Sequence, residues 1–131
     1  MPHRRTVLQT LLAGALAAPS ARPAGSQVRE LRRESLTGPL DNLEAVWLEV
    51  TLAPGVASPV HKHPGPVFGF VLEGRFRFSV RGGPEQTLNP GDTFFEPLGA
   101  IHQTSSNAGD TPVRLGVVIL SQPGRAISEA V

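Results

Sequence analysis

Short apolar runs separated by Gly and Pro turns constrain this chain more than any other feature. Glu44-Ala45-Val46-Trp47-Leu48-Glu49-Val50-Thr51-Leu52 is rich in β-branched and aromatic residues and stops at Pro54-Gly55, a strand followed by a turn. Arg75 to Arg81 alternates, with Phe76, Phe78 and Val80 on one face and Arg75, Arg77 and Arg81 on the other, as an extended chain with period two requires. Gly82-Gly83 then makes a hairpin turn. The arginine row reads as the solvated face of that strand rather than an anion site. The 14 Gly and 13 Pro are spread between such runs and not gathered in one tract, so they mark turns and not disorder. Val28 to Leu36 reads as a polar edge strand, and Val67 to Gly74 is apolar on both faces. With Glu85 to Leu88, Asp92 to Glu96, Ile101 to Ser105 and Val113 to Leu120, about eight to ten short strands result. The expectation is an all-β sandwich or barrel.

A chain of 131 residues, 40% hydrophobic, builds one domain with a modest core. Its net charge of +1 is too small to point to a nucleic-acid partner. It has no cysteine, so there is no disulfide, and any metal must be held by N and O ligands. Met1 to Arg5 is a basic head, Thr6 to Ala18 is apolar, and small residues follow, with A-x-A-like sites ending at Ala17, Ala21 or Ala24. That is an export signal over 1–24, too short to leave a stable membrane anchor. Arg4-Arg5-Thr6-Val7-Leu8 fits a twin-arginine signal, and a general secretory signal fits the same stretch. Removing it takes Arg4, Arg5 and Arg22 from the 12 basic residues, leaving nine against 11 acidic ones. The mature protein is therefore expected to be mildly acidic and periplasmic or secreted. The remaining chain divides into an N-terminal strand region (25–43), a barrel (44–122) and a loose C-terminal tail (123–131).

His61 and His63 stand two apart, so on an extended chain they share a face. His102 follows a Pro97-Leu98-Gly99 turn, and the remaining histidine, His3, falls in the signal. Every histidine of the mature chain thus belongs to one constellation. Neutral imidazole is a good ligand for first-row divalent metals.

The spacing of these residues resembles the cupin superfamily. Its first motif is Gly, five residues, His-x-His, three or four residues, Glu, six residues and Gly; Gly55, His61, His63 and Gly74 match it. Its second is Gly, five residues, Pro-x-Gly, two residues, His and a nearby Asn; Gly91, Pro97, Gly99 and His102 match, with Asn107 one place late. The resemblance implies a double-stranded β-helix, the cupin jelly-roll barrel, with a divalent metal inside it and frequent dimerisation. One departure matters. The carboxylate ligand of the first motif is replaced by Val67, which leaves His61, His63 and His102 as the metal set.

No other acid replaces that carboxylate straightforwardly. Glu73 has the parity of His63 but lies about 20 Å further along the strand at ~3.3 Å per residue. Asp92, beside Gly91, reads as a turn residue that caps its own backbone. Glu96, just before the Pro97 turn, is the nearest alternative. Three neutral ligands leave the ion its full charge and an open position.

The inward candidates Val67, Gly69, Val71, Phe76 and Phe78 are apolar, and Glu96 is the acid near them. With no inward Lys or Arg, and Gln103 facing away from His102, the pocket suits a small neutral or aromatic molecule. The cupin resemblance implies two functions for such a pocket. One is a metal-dependent, dioxygenase-like oxidoreductase using Fe, Mn, Ni, Cu or Zn; the other is a non-catalytic metal- or small-ligand-binding module. Phe68 and Phe70 have the opposite parity to the histidines. They are expected to pack on the N-terminal strands or on the second subunit of a homodimer.

Overall fold

The computed structural model describes residues 25–131; the export signal expected over 1–24 lies outside the described residues. Ten strands follow in order: β1 (Ser26–Ser35), β2 (Glu44–Leu52), β3 (His61–Lys62), β4 (Val67–Glu73), β5 (Phe76–Val80), β6 (Gln86–Leu88), β7 (Thr93–Glu96), β8 (Ile101–Asn107), β9 (Val113–Ser121) and β10 (Glu129–Ala130). They form two five-stranded sheets, β1-β2-β9-β4-β7 and β10-β3-β8-β5-β6, and every pairing is antiparallel. The core draws on both sheets, with Val46, Leu48, Val71, Leu115 and Ile119 from the first meeting Phe76 and Phe78 from the second. This is the all-β fold that the turns and alternation predict, in the jelly-roll form that the cupin resemblance implies. Among the described residues no helix is long and apolar enough to cross a membrane.

Alternation places the side chains. β9 buries Val113, Leu115, Val117 and Ile119 and turns the residues between them outward. β4 buries Val67, Gly69 and Val71 and exposes Phe68 and Phe70. Each fully buried large apolar side chain contributes roughly 1.5–3 kcal/mol. β1 is almost wholly exposed and charged: Arg33 pairs with Glu30 and Glu44, Arg32 with Glu34, and Arg29 with Glu49. Such pairs add little stability, but charge along an open edge discourages pairing with another chain. The β5 arginines are solvated as expected, Arg77 against Glu85 at 3.3 Å and Arg81 donating to Gln103 at 2.9 Å.

One expectation is corrected, and another is narrowed. The chain beyond Pro123 is not a loose tail. Glu129 and Ala130 pair with Lys62 and His61, and Glu129 forms ion pairs with Arg125 at 3.0 Å and Lys62 at 3.7 Å. β3 is hydrogen-bonded to β8 on one side only, and the tail satisfies the other. Of the two partners expected for Phe68 and Phe70, the N-terminal strand is not one, since within this chain they remain 48% and 46% exposed. β1 sits at the far edge of their sheet, with β2 and β9 between it and β4. The ring of Phe68 instead lies against Phe95, 5.3 Å away.

Candidate metal centre

His61 lies on β3 directly opposite His102 on β8. His63 leaves the strand at the Pro64-Gly65-Pro66 bend, which crosses close over β9. A Cβ on Gly65 would stand 1.6 Å from the Leu120 carbonyl oxygen, so only glycine permits the approach. His61 Nδ1 lies 2.6 Å from the Pro59 carbonyl oxygen, and His63 Nδ1 lies 2.6 Å from that of Ile127. A carbonyl only accepts, so in both rings Nδ1 carries the proton and the Nε2 lone pair is free. Those two Nε2 atoms are 3.1 Å apart. Two lone pairs facing each other at that distance repel unless a cation or a proton lies between them. One ligand nitrogen from each of His61, His63 and His102 falls within 4.8 Å of the others.

His102 is 5% exposed, and neither of its ring nitrogens makes a hydrogen bond. Burial lowers its pKa to about 3, helped by repulsion from His61 and His63. Burial likewise lowers His63 to about 4, with His61 adding to the effect and the Ile127 carbonyl opposing it. Both rings are therefore neutral at pH 7, the form that ligates metal. Glu96, 2% exposed, points into the same place from the opposite sheet. Its Oε1 lies 3.4 Å from His102 Nδ1 and 3.8 Å from His63 Nε2 without a hydrogen bond. Burial raises its pKa to about 7. Buried polar atoms are nearly always partnered, so unpartnered nitrogens and an unpartnered oxygen in one cluster fit a cation there.

A cavity of about 300 Å³ adjoins the cluster. Val67 and Glu96 line it, as do all three histidines. Gly69, Val71, Phe76 and Phe78, expected to face the pocket, lie behind it instead. A Cβ at Gly69 would meet the Phe94 ring at 2.1 Å. That ring fills the space above Gly69 and packs on Phe76 and Phe78, with centroids 5.4 and 5.0 Å away. Phe78 in turn backs His102 at 5.2 Å. Phe78 is thus the floor beneath His102, and of these three rings only Phe94 reaches the cavity.

The walls that sequence reasoning missed are Leu48 and Val50 of β2, Leu115 and Val117 of β9, Phe94, and Ile127 to Ala130 of the tail. Parity along β2, β7 and β9 could have flagged the first five; nothing local flags the tail. Among the described residues no Lys or Arg lines the cavity. Glu73 faces outward against Arg114 at 2.9 Å, and Asp92 accepts the Asn89 backbone N–H at 2.8 Å. Asn107 is structural: its amide donates to the Leu52 and Thr111 carbonyls, and its oxygen accepts the Gly109 N–H.

Among solved structures, the DMSP lyase DddQ from Ruegeria pomeroyi DSS-3 is similar at 30% identity and a TM-score of 0.56, over 70% of this chain and 44% of that one. An oxalate oxidase in complex with the substrate analogue glycolate is similar at 25% identity and a TM-score of 0.62, over 86% and 58%. A cupin-like protein from Thermotoga maritima shares the fold at 23% identity and a TM-score of 0.59, over 81% and 75%. The chain spans about half the length of the lyase and the oxidase. No curated protein matches it. The cupin domain family matches residues 48–120, from the middle of β2 to the end of β9, and with both motif histidine sets gathered at one end of a two-sheet barrel the chain belongs to the cupins.

Proposed function

We propose that this chain is an exported cupin in which His61, His63 and His102 hold one divalent metal ion. On this reading it is a metal-dependent, dioxygenase-like oxidoreductase acting on a small neutral or aromatic molecule. The observation that carries the reading is the cavity of about 300 Å³ beside the three histidines. A metal carrier can fill the space next to its ion. Here that space stays open and lies at the lower end of the range for small-molecule sites. Its lining runs from buried Val67 and Leu115 out to exposed Pro59, Ser128 and Ala130, which gives a ligand a way in.

The chain's own residues prepare the site. The Pro59 and Ile127 carbonyls pin two rings with their Nε2 atoms inward, and Phe78 backs the third. Val, Leu and Phe walls exclude water and favour an apolar ligand. With no Lys or Arg to offset charge, an oxalate-like dianion is disfavoured beside Glu96 and Glu129. A divalent ion bound there supplies a Lewis acid that polarises a substrate oxygen.

Elemental analysis of the protein purified from its native compartment, followed by oxygen uptake with a panel of enols and catechols, tests the proposal. The expected result is about one first-row ion per chain and substrate-dependent uptake that is lost in His61→Ala. A protein without metal would overturn the reading. Metal with no uptake on any substrate would leave a binding module instead.

A further inference from the structure

We infer that Glu96 is the carboxylate ligand of this centre, supplied from β7 in place of the one missing at position 67 of β4. The inference rests on the metal-binding reading above and goes beyond its three histidines. Val67 and Glu96 are direct partners in the β4–β7 ladder, and both side chains are inward and buried. Directly opposed residues of an antiparallel pair have Cβ atoms only about 4.5–5.5 Å apart on one face. A glutamate moved from position 67 to its cross-strand partner therefore enters the same end of the barrel from one strand further over.

The distances set Glu96 at the rim of the histidine set, which gathers within 4.8 Å without it. With metal–nitrogen and metal–oxygen bonds of about 2.0–2.2 Å, neighbouring ligand atoms stand roughly 3–3.6 Å apart. The separations here are 3.1 Å between His61 Nε2 and His63 Nε2, 3.4 Å between Glu96 Oε1 and His102 Nδ1, and 3.8 Å between Glu96 Oε1 and His63 Nε2. The main rival role is a carboxylate that only orients His102. Such a group would make a true hydrogen bond and would have no reason to stand close to His63 Nε2 as well. A purely structural acid would be partnered, as Asn107 is; Glu96 Oε1 is not.

Competition against a chelator with Zn²⁺, on the wild type, Glu96→Gln and His61→Ala, tests this, together with a crystal structure of the Zn²⁺-loaded wild type. The expected result is that Glu96→Gln weakens affinity by more than the roughly 10–100-fold that loss of an outer-shell partner costs. In the loaded structure a Glu96 oxygen should lie about 2.0–2.2 Å from the ion. Affinity within threefold of wild type in Glu96→Gln, or a Glu96 carboxylate that stays on His102 outside the coordination sphere, overturns the inference. If His61→Ala nonetheless loses the ion, the tri-histidine reading stands without it. A wild type that binds no Zn²⁺ and no other first-row ion overturns both. The loaded wild-type structure decides the matter even if Glu96→Gln fails to fold.

Discussion

The two ends of β8 treat a buried polar side chain in opposite ways. At one end Asn107, 7% exposed, has its amide and its oxygen satisfied by three backbone groups. At the other, His102 and Glu96 are at least as buried, yet three of their polar atoms lack any partner. The packing differs in the same sense. Phe76, opposite Asn107 in the ladder, is completely enclosed, whereas the histidine end keeps a cavity of about 300 Å³. A satisfied polar group in a filled core stabilises the fold. Unsatisfied groups beside open space cost stability and are tolerated where something else will satisfy them. One strand thus carries a filled, satisfied end and an open, unsatisfied one.

The largest effect belongs to the filled end. Phe76→Ala should cost about 3–5 kcal/mol, equally with metal and with chelator, read by urea melts. A loss that depends on metal would mean the two ends are not independent.

Next comes the pH dependence of the metal-free protein. The folded pKa of Glu96, about 7, lies above its ordinary 4.5. Its contribution to stability is therefore fully present below about pH 4.5 and lost as pH rises through 7. His63 and His102 run the other way. Their folded values of about 4 and 3 lie below 6.5, so their contribution is full above about pH 6.5 and lost as pH falls toward 4. Glu96→Gln removes only the carboxyl part. Relative to wild type it should gain on the order of 3 kcal/mol between pH 4.5 and 8, measured in chelator. A constant difference across that range would show that the carboxyl is not held in an unfavourable setting.

Asn107→Ala should cost about 2 kcal/mol, since it strands the Leu52 and Thr111 carbonyls and the Gly109 N–H. Metal affinity should not change. If it falls with stability, Asn107 supports the site as well as the fold.

The smallest effect concerns the outer face of β4. Phe68→Ser should shift stability by no more than about 0.5 kcal/mol and leave metal binding alone, because the ring is half exposed and points away from the cavity. A loss several times larger would show that this face is covered, and light scattering on wild type and variant would show whether the expected homodimer covers it.

Much of this was readable in the residues. Glu44–Leu52 is a strand over the range its composition indicates, because β-branched and aromatic residues bounded by Pro54-Gly55 leave little alternative. The alternation of β5 told which way Phe76, Phe78 and the arginines point. Parity alone, however, could not say how deep an inward residue lies. Gly69, Val71, Phe76 and Phe78 all face inward, but Phe94 comes across from β7 to cover Gly69 and pack on Phe76 and Phe78, and it lines the cavity where they do not. The tail failed for a different reason. Ile127 to Ala130 carry no strand signal, and they are ordered by the free edge of β3 and by His63, 64 positions earlier in the chain.

Residue order alone dictates the class of fold, the shared face of His61 and His63, and a valine where the first motif has its carboxylate. Each of these follows from residue type and a period of two along one strand. That Glu96 stands beside Val67, that Ile127 pins His63, and that a cavity remains at one end of the barrel emerge only once the strands are assembled. Those depend on the register between strands far apart in the chain, on which edge is left open, and on how completely facing side chains fill the space. Cross-strand register and packing arise from many distant contacts at once, so no local stretch of residues encodes them.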